Sequence, residues 1–120
     1  MTNADWLIPD WPAPANVRAV FTTRSGGCSN APWDSLNLGD HVGDVPGSVA
    51  ANRAAVQKAI ASRPVFLKQV HGTAVEHLSM STADGTKADA CISTERGVVC
   101  TVMVADCLPV LLTNLDGTAI

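Results

Sequence analysis

The chain has 120 residues, of which 47% are hydrophobic and 16% charged, and its formal net charge is −3. This composition is typical of one globular domain with a real core and excludes a disordered chain. The net negative charge and the absence of a Lys/Arg cluster argue against a nucleic-acid partner. The absence of an apolar run of about 20 residues argues against a membrane-spanning segment.

The first half of the sequence predicts a strand, a long loop and a helix. After an arm rich in tryptophan and proline, residues 17–23 are predicted to form a strand. Residues 24–39 form a loop too long for a simple connector, which makes it a candidate binding loop. Ser48 is predicted to cap a helix over residues 49–61, because apolar side chains recur there at helical spacing.

The second half of the sequence predicts short strands. Apolar runs at residues 65–67 and 73–78 are strand-like, and the uncharged, mostly β-branched run at residues 98–104 predicts a strand covered on both faces. Residues 111–113 and 118–120 predict a hairpin with an Asp-Gly turn between them. Since the last run stops after three residues, we expect the domain to continue beyond residue 120.

The four cysteines predict free thiols in a cytoplasmic protein. No C-x-x-C pair occurs, and the N-terminus lacks the basic start and apolar run of a secretory signal. Cys28, Cys91 and Cys100 are expected to be unpaired, with Cys100 buried in its strand. Zinc ligands usually arrive in close pairs, so any metal site must also use histidine.

Cys107 and His71 are the candidate reactive residues. Cys107 follows the strand at residues 98–104, and a strand end holds a side chain firmly while presenting it to a ligand. It is therefore a candidate nucleophile or metal ligand, with a buried core cysteine as the alternative. His71 precedes Gly72 between two strand-like runs, so its imidazole is expected to project from a turn. For His41 and His77 a surface or core-edge role is the simpler interpretation.

Arg24 opens a Gly-Gly loop at the end of a predicted strand. A guanidinium makes bidentate bonds to phosphate or carboxylate, and glycines allow backbone N–H groups to approach an anion. The alternative is a surface arginine in a turn. No P-loop and no G-x-G-x-x-G motif is present.

Five short motifs together identify a family. They are Thr22-Thr23-Arg24-Ser25-Gly26-Gly27, Ser35-Leu36-Asn37-Leu38-Gly39, Gln69-Val70-His71-Gly72, Ala88-Asp89-Ala90 and Ala105-Asp106-Cys107-Leu108-Pro109. In this order and spacing they resemble the YfiH-like family, also called the laccase-domain, polyphenol oxidase or peptidoglycan-editing-factor family. The resemblance implies an α+β fold with mixed β-sheets layered with helices, similar to bacterial toxin cysteine deamidases. It also implies that residues 1–120 are the N-terminal half of a single domain.

The resemblance implies an activity as well. YfiH-like proteins are described as zinc-dependent enzymes that cleave adenosine, inosine, guanosine or methylthioadenosine with phosphate and also deaminate adenosine; an older label describes them as copper oxidases. His71 and Cys107 match two of three zinc ligands, and the third, a histidine in an Ala-His-Ala-Gly-Trp-type motif, is expected beyond Ile120. Asp106 is a candidate for moving protons or orienting a ligand, with a structural role as the alternative, and Arg24 and Asn37 are candidates for binding phosphate. The 120 residues alone are then expected to be inactive.

Two other functions remain open from the sequence. Cys107 and His71 are also the residue types of a metal-free hydrolase or deamidase with a thiolate nucleophile. One family name points instead to a quality-control factor in cell-wall precursor synthesis, in which Cys107 would be dispensable.

Overall fold

A computed structural model describes residues 5–120, which divide into two compact units. The first unit contains the N-terminal arm through Trp11 together with Ala19–Ala61, and the second contains Pro12–Arg18 and Ser62–Ile120. The described residues form one α-helix and four short β-strands, which confirms the predicted α+β class. Within residues 5–120, no helix has the length and apolar character needed to cross a membrane.

The helix of the first unit, α1, spans Pro46–Ile60. It begins three residues earlier than predicted, and the predicted capping by Ser48 is wrong. Val45 is the N-cap residue and Pro46 opens the helix, because proline has the φ angle of a helix and no N–H to leave unsatisfied there. Ser48 lies inside the first turn, where its N–H donates to the Val45 carbonyl at 3.0 Å.

The buried apolar cluster of the first unit consists of Val56, which lies on α1, together with Trp6 and Leu36 from outside the helix.

The predicted strand at residues 17–23 is absent. Phe21 exchanges two backbone hydrogen bonds with Leu7, at 2.8 and 2.9 Å, but this contact is an isolated antiparallel bridge. A strand requires a continuing ladder of such bonds, and the ladder here is a single residue pair long.

The second unit contains two parallel strand pairs. Its strands are β1 (Arg63–Phe66), β2 (Val75–His77), β3 (Ala90–Ile92) and β4 (Val98–Thr101). β1 pairs with β4, and β2 pairs with β3. The strands predicted near residues 65–67 and 73–78 are therefore confirmed, with shifted ends.

β4 is shorter than its apolar sequence predicts. The register joins Arg63 to Val98 and Phe66 to Thr101, so β4 ends opposite the last residue of β1. Residues 102–104 continue beyond the end of the partner strand and make no ladder. Within β4 only Val98 is fully buried, so the prediction of a strand covered on both faces is wrong.

The core of the second unit consists of Val65, Leu67, Leu78, Ala88 and Val98. All four cysteines of the chain are free thiols, as predicted. The prediction that Cys100 is buried is wrong: it is half-buried at the margin of this core, because only the first position of β4 is fully covered.

The predicted turn near the end of the chain is present, although no strands flank it. The Asn114 side-chain oxygen accepts the backbone N–H groups of Thr118 and Ala119, at 2.9 and 3.2 Å. Gly117 adopts a φ of 67°, which glycine tolerates at no steric cost. Ile120 exchanges two backbone hydrogen bonds with Ser93, which follows β3.

Candidate active site

The loop that follows Arg24 folds back onto the Arg24 backbone. The Arg24 carbonyl accepts the N–H groups of Ser35 and Leu36, at 2.8 and 2.7 Å. The Arg24 guanidinium donates through Nε to the Asp34 carbonyl at 2.8 Å and through Nη2 to the Pro32 carbonyl at 3.3 Å. Its Nη2 also lies 3.5 Å from the Asp34 carboxylate, and the side chain is 72% exposed. The loop thus fixes the guanidinium on one side and leaves the other side open.

The two glycine N–H groups that follow Arg24 are not free to bind an anion. Gly26 and Gly27 both donate to the Ser35 hydroxyl oxygen at 3.1 Å, and that hydroxyl donates to the Arg24 carbonyl at 3.3 Å. The sequence-based expectation that these N–H groups approach a ligand is therefore not met. Ser35 occupies the position that an anion oxygen would take.

A surface cavity of about 280 Å³ lies over this loop. It is lined by Arg24, Ser25, Asp34 and Ser35. A bound anion there would be attracted by the guanidinium and repelled by the exposed Asp34 carboxylate. The cavity therefore suits a ligand that combines an anionic group with a hydrogen-bond donor.

Asn37, the second candidate for phosphate binding, is engaged inside its own loop. Its amide nitrogen donates to the Gly39 carbonyl at 3.1 Å and to the Asp44 carboxylate at 3.0 Å, and its oxygen accepts the Gly39 N–H at 3.1 Å. Hydrogen bonds from the Ser29 hydroxyl first, and from Asn37 second, hold the pKa of Asp44 below its ordinary value. In this arrangement Asn37 orders the loop.

Asn52 is a positioning residue that the sequence analysis missed. It lies on α1, is only 1% exposed, and donates to the Ser29 hydroxyl and to the carbonyls of Ser35 and Asn37. Its oxygen accepts the Cys28 N–H at 2.9 Å. One buried amide thus fastens both sides of the loop to the helix. The signal was an asparagine on the apolar helix face, between Val49 and Val56.

In the second unit, the two candidate metal ligands lie in segments that follow the parallel strands β1 and β4. The carboxyl ends of parallel strands lie at the same edge. His71 follows the end of β1 by five residues, and Cys107 follows the end of β4 by six. Because Phe66 pairs with Thr101, the two chain segments leave the sheet side by side. That His71 and Cys107 share a site stays a prediction.

The turn that carries His71 is held by the Asp89 carboxylate. Its Oδ1 accepts the N–H groups of Val70 and His71, at 3.1 and 2.7 Å, and its Oδ2 accepts the Gly72 N–H at 2.8 Å. These bonds, with that of Gly72 the largest contributor, hold the pKa of Asp89 below its ordinary value of 3.8, although desolvation acts the other way. His71 itself has a φ of 55°, a left-handed conformation that costs free energy for a residue with a side chain. The three hydrogen bonds to Asp89 offset the free-energy cost of this conformation.

Asp89 is the second residue whose role the sequence analysis missed. It reaches the turn because residues 86–88 run beside Lys68, with hydrogen bonds from Lys68 to Thr86 at 2.8 Å and from Ala88 to Lys68 at 3.2 Å. The sequence contained a signal, a carboxylate between two small residues in the Ala88-Asp89-Ala90 motif. Its partner, a turn 17 to 19 residues away, is visible only in the structure.

Cys107 and Asp106 lie in an exposed bend after β4. Within residues 5–120 the Asp106 carboxylate makes no hydrogen bond or ion pair, so it is free to meet a ligand. The other histidines are placed differently. His77 is the last residue of β2, and its Nε2 lies 3.3 Å from the Thr94 hydroxyl. His41 lies in the first unit, and its Nδ1 is 4.0 Å from the Asp40 carboxylate.

The donor types of His71 and Cys107 fit zinc, which binds imidazole nitrogen and thiolate sulfur. Both side chains are exposed and therefore accessible to an ion. Among the described residues, no three His, Cys, Asp or Glu side chains gather closely enough to hold a metal ion. The chain thus offers a partial donor set, and a closed metal centre would need a further ligand.

The comparisons with known sequences identify relatives of about twice this length. A sequence model of a family described as "Multi-copper polyphenol oxidoreductase laccase" matches residues 18–120. A Pseudomonas aeruginosa protein named purine nucleoside phosphorylase is 52% identical over 115 residues, which cover 96% of this chain and 47% of that protein. The purine nucleoside phosphorylase YfiH of Escherichia coli is 47% identical over 116 residues, or 95% of this chain and 48% of that protein. The chain therefore spans about half the length of the curated relatives it matches.

Solved structures give the same picture. A crystal structure of a Neisseria meningitidis protein of the DUF152 family aligns with a TM-score of 0.90 and 46% identity, covering 95% of this chain and 47% of that chain. The structure of YlmD from Geobacillus stearothermophilus aligns with a TM-score of 0.69 and 32% identity, covering 82% of this chain and 41% of that one. The same backbone arrangement thus occurs within chains of about twice the length.

Proposed function

Because the chain belongs to the multi-copper polyphenol oxidoreductase laccase family, we propose that it supplies half of a zinc-dependent purine nucleoside phosphorylase. The whole enzyme would cleave adenosine, inosine, guanosine or methylthioadenosine with phosphate and would also deaminate adenosine. The observation that supports the proposal is the parallel pairing of β1 with β4, the strands that precede the His71 and Cys107 segments, in a chain 52% identical to a protein named purine nucleoside phosphorylase.

His71 and Cys107 would hold the zinc ion, and the missing ligand would come from residues beyond Ile120. When bound, zinc acts as a Lewis acid and supplies an activated water near neutral pH. Asp89 fixes the backbone of the His71 turn through three hydrogen bonds, so the position from which the imidazole extends is set before the ion arrives. This pre-organisation lowers the entropic cost of binding.

Arg24 would hold the phosphate. Its Nε and Nη2 atoms donate within the loop, while Nη1 donates to no group among the described residues and the side chain as a whole is 72% exposed. A guanidinium edge binds phosphate oxygens in a charge-assisted manner. Asn37 would act through the loop, since its amide keeps the chain beside Ser35 in place.

Asp106 would transfer protons as a general acid or base. Its carboxylate is exposed next to Cys107 and has no partner within the described part of the chain. Phosphorolysis requires a proton to reach the departing purine base, and a carboxyl group near the ligand is a suitable acid or base for that transfer.

The test is to join this chain to the part of the P. aeruginosa relative that it does not match. With zinc and phosphate, the joined protein should convert inosine to hypoxanthine and ribose 1-phosphate in equal amounts. H71A and C107S should abolish the reaction, whereas H77A and C28S, which change exposed residues of the same two types, should retain it.

Several outcomes would contradict the proposal. Activity that survives removal of the metal but is lost on alkylation of Cys107 would point to a metal-free thiolate hydrolase. A folded, zinc-loaded joined protein without phosphorolysis would remove the assigned reaction. Equal activity in the 120-residue chain alone would mean that the third ligand lies within it, with His41 and His77 as the first candidates.

A further inference from the structure

Cys91 and Cys100 form a thiol pair away from the proposed site. Cys91 is the central residue of β3 and Cys100 lies in β4, and the two strands contact each other. Both side chains are half-buried and pack against the same apolar core. The turn between the strands is fixed by Ser93, which is 2% exposed and donates through its hydroxyl to the Val98 carbonyl at 3.3 Å. The two contacting strands therefore place both thiols against the same core.

The two thiols differ in character. The interaction with the Cys100 side chain, helped by the Thr101 backbone N–H, lowers the pKa of Cys91 to about 7 although burial opposes it. The same interaction raises the pKa of Cys100, and burial adds to the rise. The Cys100 S–H donates to the Ile120 carbonyl at 3.8 Å. Cys91 is thus the more acidic thiol of the pair, which suits it to attack a disulfide while Cys100 resolves the product.

We propose that Cys91 and Cys100 form a reversible disulfide with low-molecular-weight disulfides as the oxidant. The Cys91 thiolate attacks one sulfur of the small disulfide, breaks its S–S bond and releases one thiolate. Cys100 then loses its proton and attacks the Cys91 sulfur of the mixed disulfide, which releases the second thiolate. The two protein thiols are oxidised by two electrons and one small disulfide is reduced to two thiols.

This disulfide would join β3 to β4 and close a short loop through Ser93. β4 leads directly into the exposed bend that carries Asp106 and Cys107. The crosslink would therefore fix the strand from which that bend extends, and it would form only under oxidising conditions, since the four thiols are free in the reduced protein.

The test uses trypsin, because Arg96 lies between the two cysteines and cleavage there places them on separate peptides. The protein is equilibrated with glutathione at increasing ratios of disulfide to thiol, alkylated and digested without reduction. Peptides 88–96 and 97–120 should appear linked, with a mass lower by two hydrogens than their sum, and dithiothreitol should separate them. The C28S/C107S double variant should keep this link in full, and C100S should lose it completely.

A second measurement does not depend on a variant that folds poorly. In the unchanged protein, the rate of Cys91 alkylation should rise with pH and reach half its maximum near pH 7. The proposal is overturned if both thiols stay reduced at the most oxidising ratio. It is also overturned if the crosslink uses Cys28 or Cys107, or if Cys91 reacts only at the alkaline pH of an ordinary thiol.

Discussion

The Asp89 carboxylate accepts the backbone N–H of His71 at 2.7 Å, and this contact fixes the turn on which the candidate zinc ligand is carried. The same carboxylate accepts the N–H groups of both neighbours of His71. A single side chain from a distant segment thus satisfies three consecutive donors. The candidate site depends on Asp89 for its geometry, although Asp89 is not itself a proposed ligand.

D89N should therefore destabilise the protein at neutral pH, because a neutral amide oxygen accepts N–H groups less strongly than a carboxylate does. The folded-state pKa of Asp89 is depressed, so its stabilising contribution is present above the unfolded value near 3.8 and is lost as pH falls through the folded value. Urea unfolding of D89N and of the unchanged protein, at pH 7 and at pH 3, measures the contribution of Asp89 to the unfolding free energy. The difference between D89N and the unchanged protein should be large at pH 7 and shrink at pH 3, and an equal difference at both pH values would contradict the assignment.

N52A should cost about 2–4 kcal/mol of unfolding free energy, because truncation leaves several buried donors and acceptors of the loop without partners. Asn52 is 1% exposed and holds Cys28, Ser29, Ser35 and Asn37. The matched control is Q57A, an exposed position on the same helix, which should change stability by less than about 0.5 kcal/mol. Denaturant titrations give the unfolding free energy of both variants. A similar loss in N52A and Q57A would show that the buried amide does not fasten the loop.

L78A should destabilise the second unit by about 2–5 kcal/mol, since it leaves a cavity in the core. Leu78 is 1% exposed and packs with Val65 and Val98. L115A removes the same atoms from a residue that is 95% exposed and should cost less than about 0.5 kcal/mol. A large loss of stability in L115A would instead mean that Leu115 is covered in solution.

H71A and C107S should each weaken zinc binding by more than about 100-fold in the joined protein, since even residues behind the ligands change affinity by about 10–100-fold. Each removes one donor from a site that holds the ion through few ligands. Competition with a chromophoric chelator gives the affinities. H77A and C28S serve as controls, and a weakening in either control as large as in H71A would place the metal elsewhere.

The sequence by itself determined the family, the α+β class, the approximate positions of α1, β1, β2 and β4, and the residue types of the candidate site. The five motifs already indicated the family to which residues 18–120 belong. Helical spacing located α1, and apolar runs located β1, β2 and β4, because periodicity and β-branched composition are local properties of the chain. A strand end marked Cys107 and a predicted turn marked His71 as candidate reactive residues, and the resemblance to the family made them the candidate zinc ligands.

Only the tertiary structure decided where the elements stop and what holds the site. β4 ends at Thr101 because its partner β1 ends at Phe66, and no local property of residues 102–104 reveals that limit. Asp89 and Asn52 acquired their roles from hydrogen bonds to segments 15 to 24 residues away. Such bonds depend on which segments the fold places side by side. A sequence shows that a polar group is present, but its partner is set by packing.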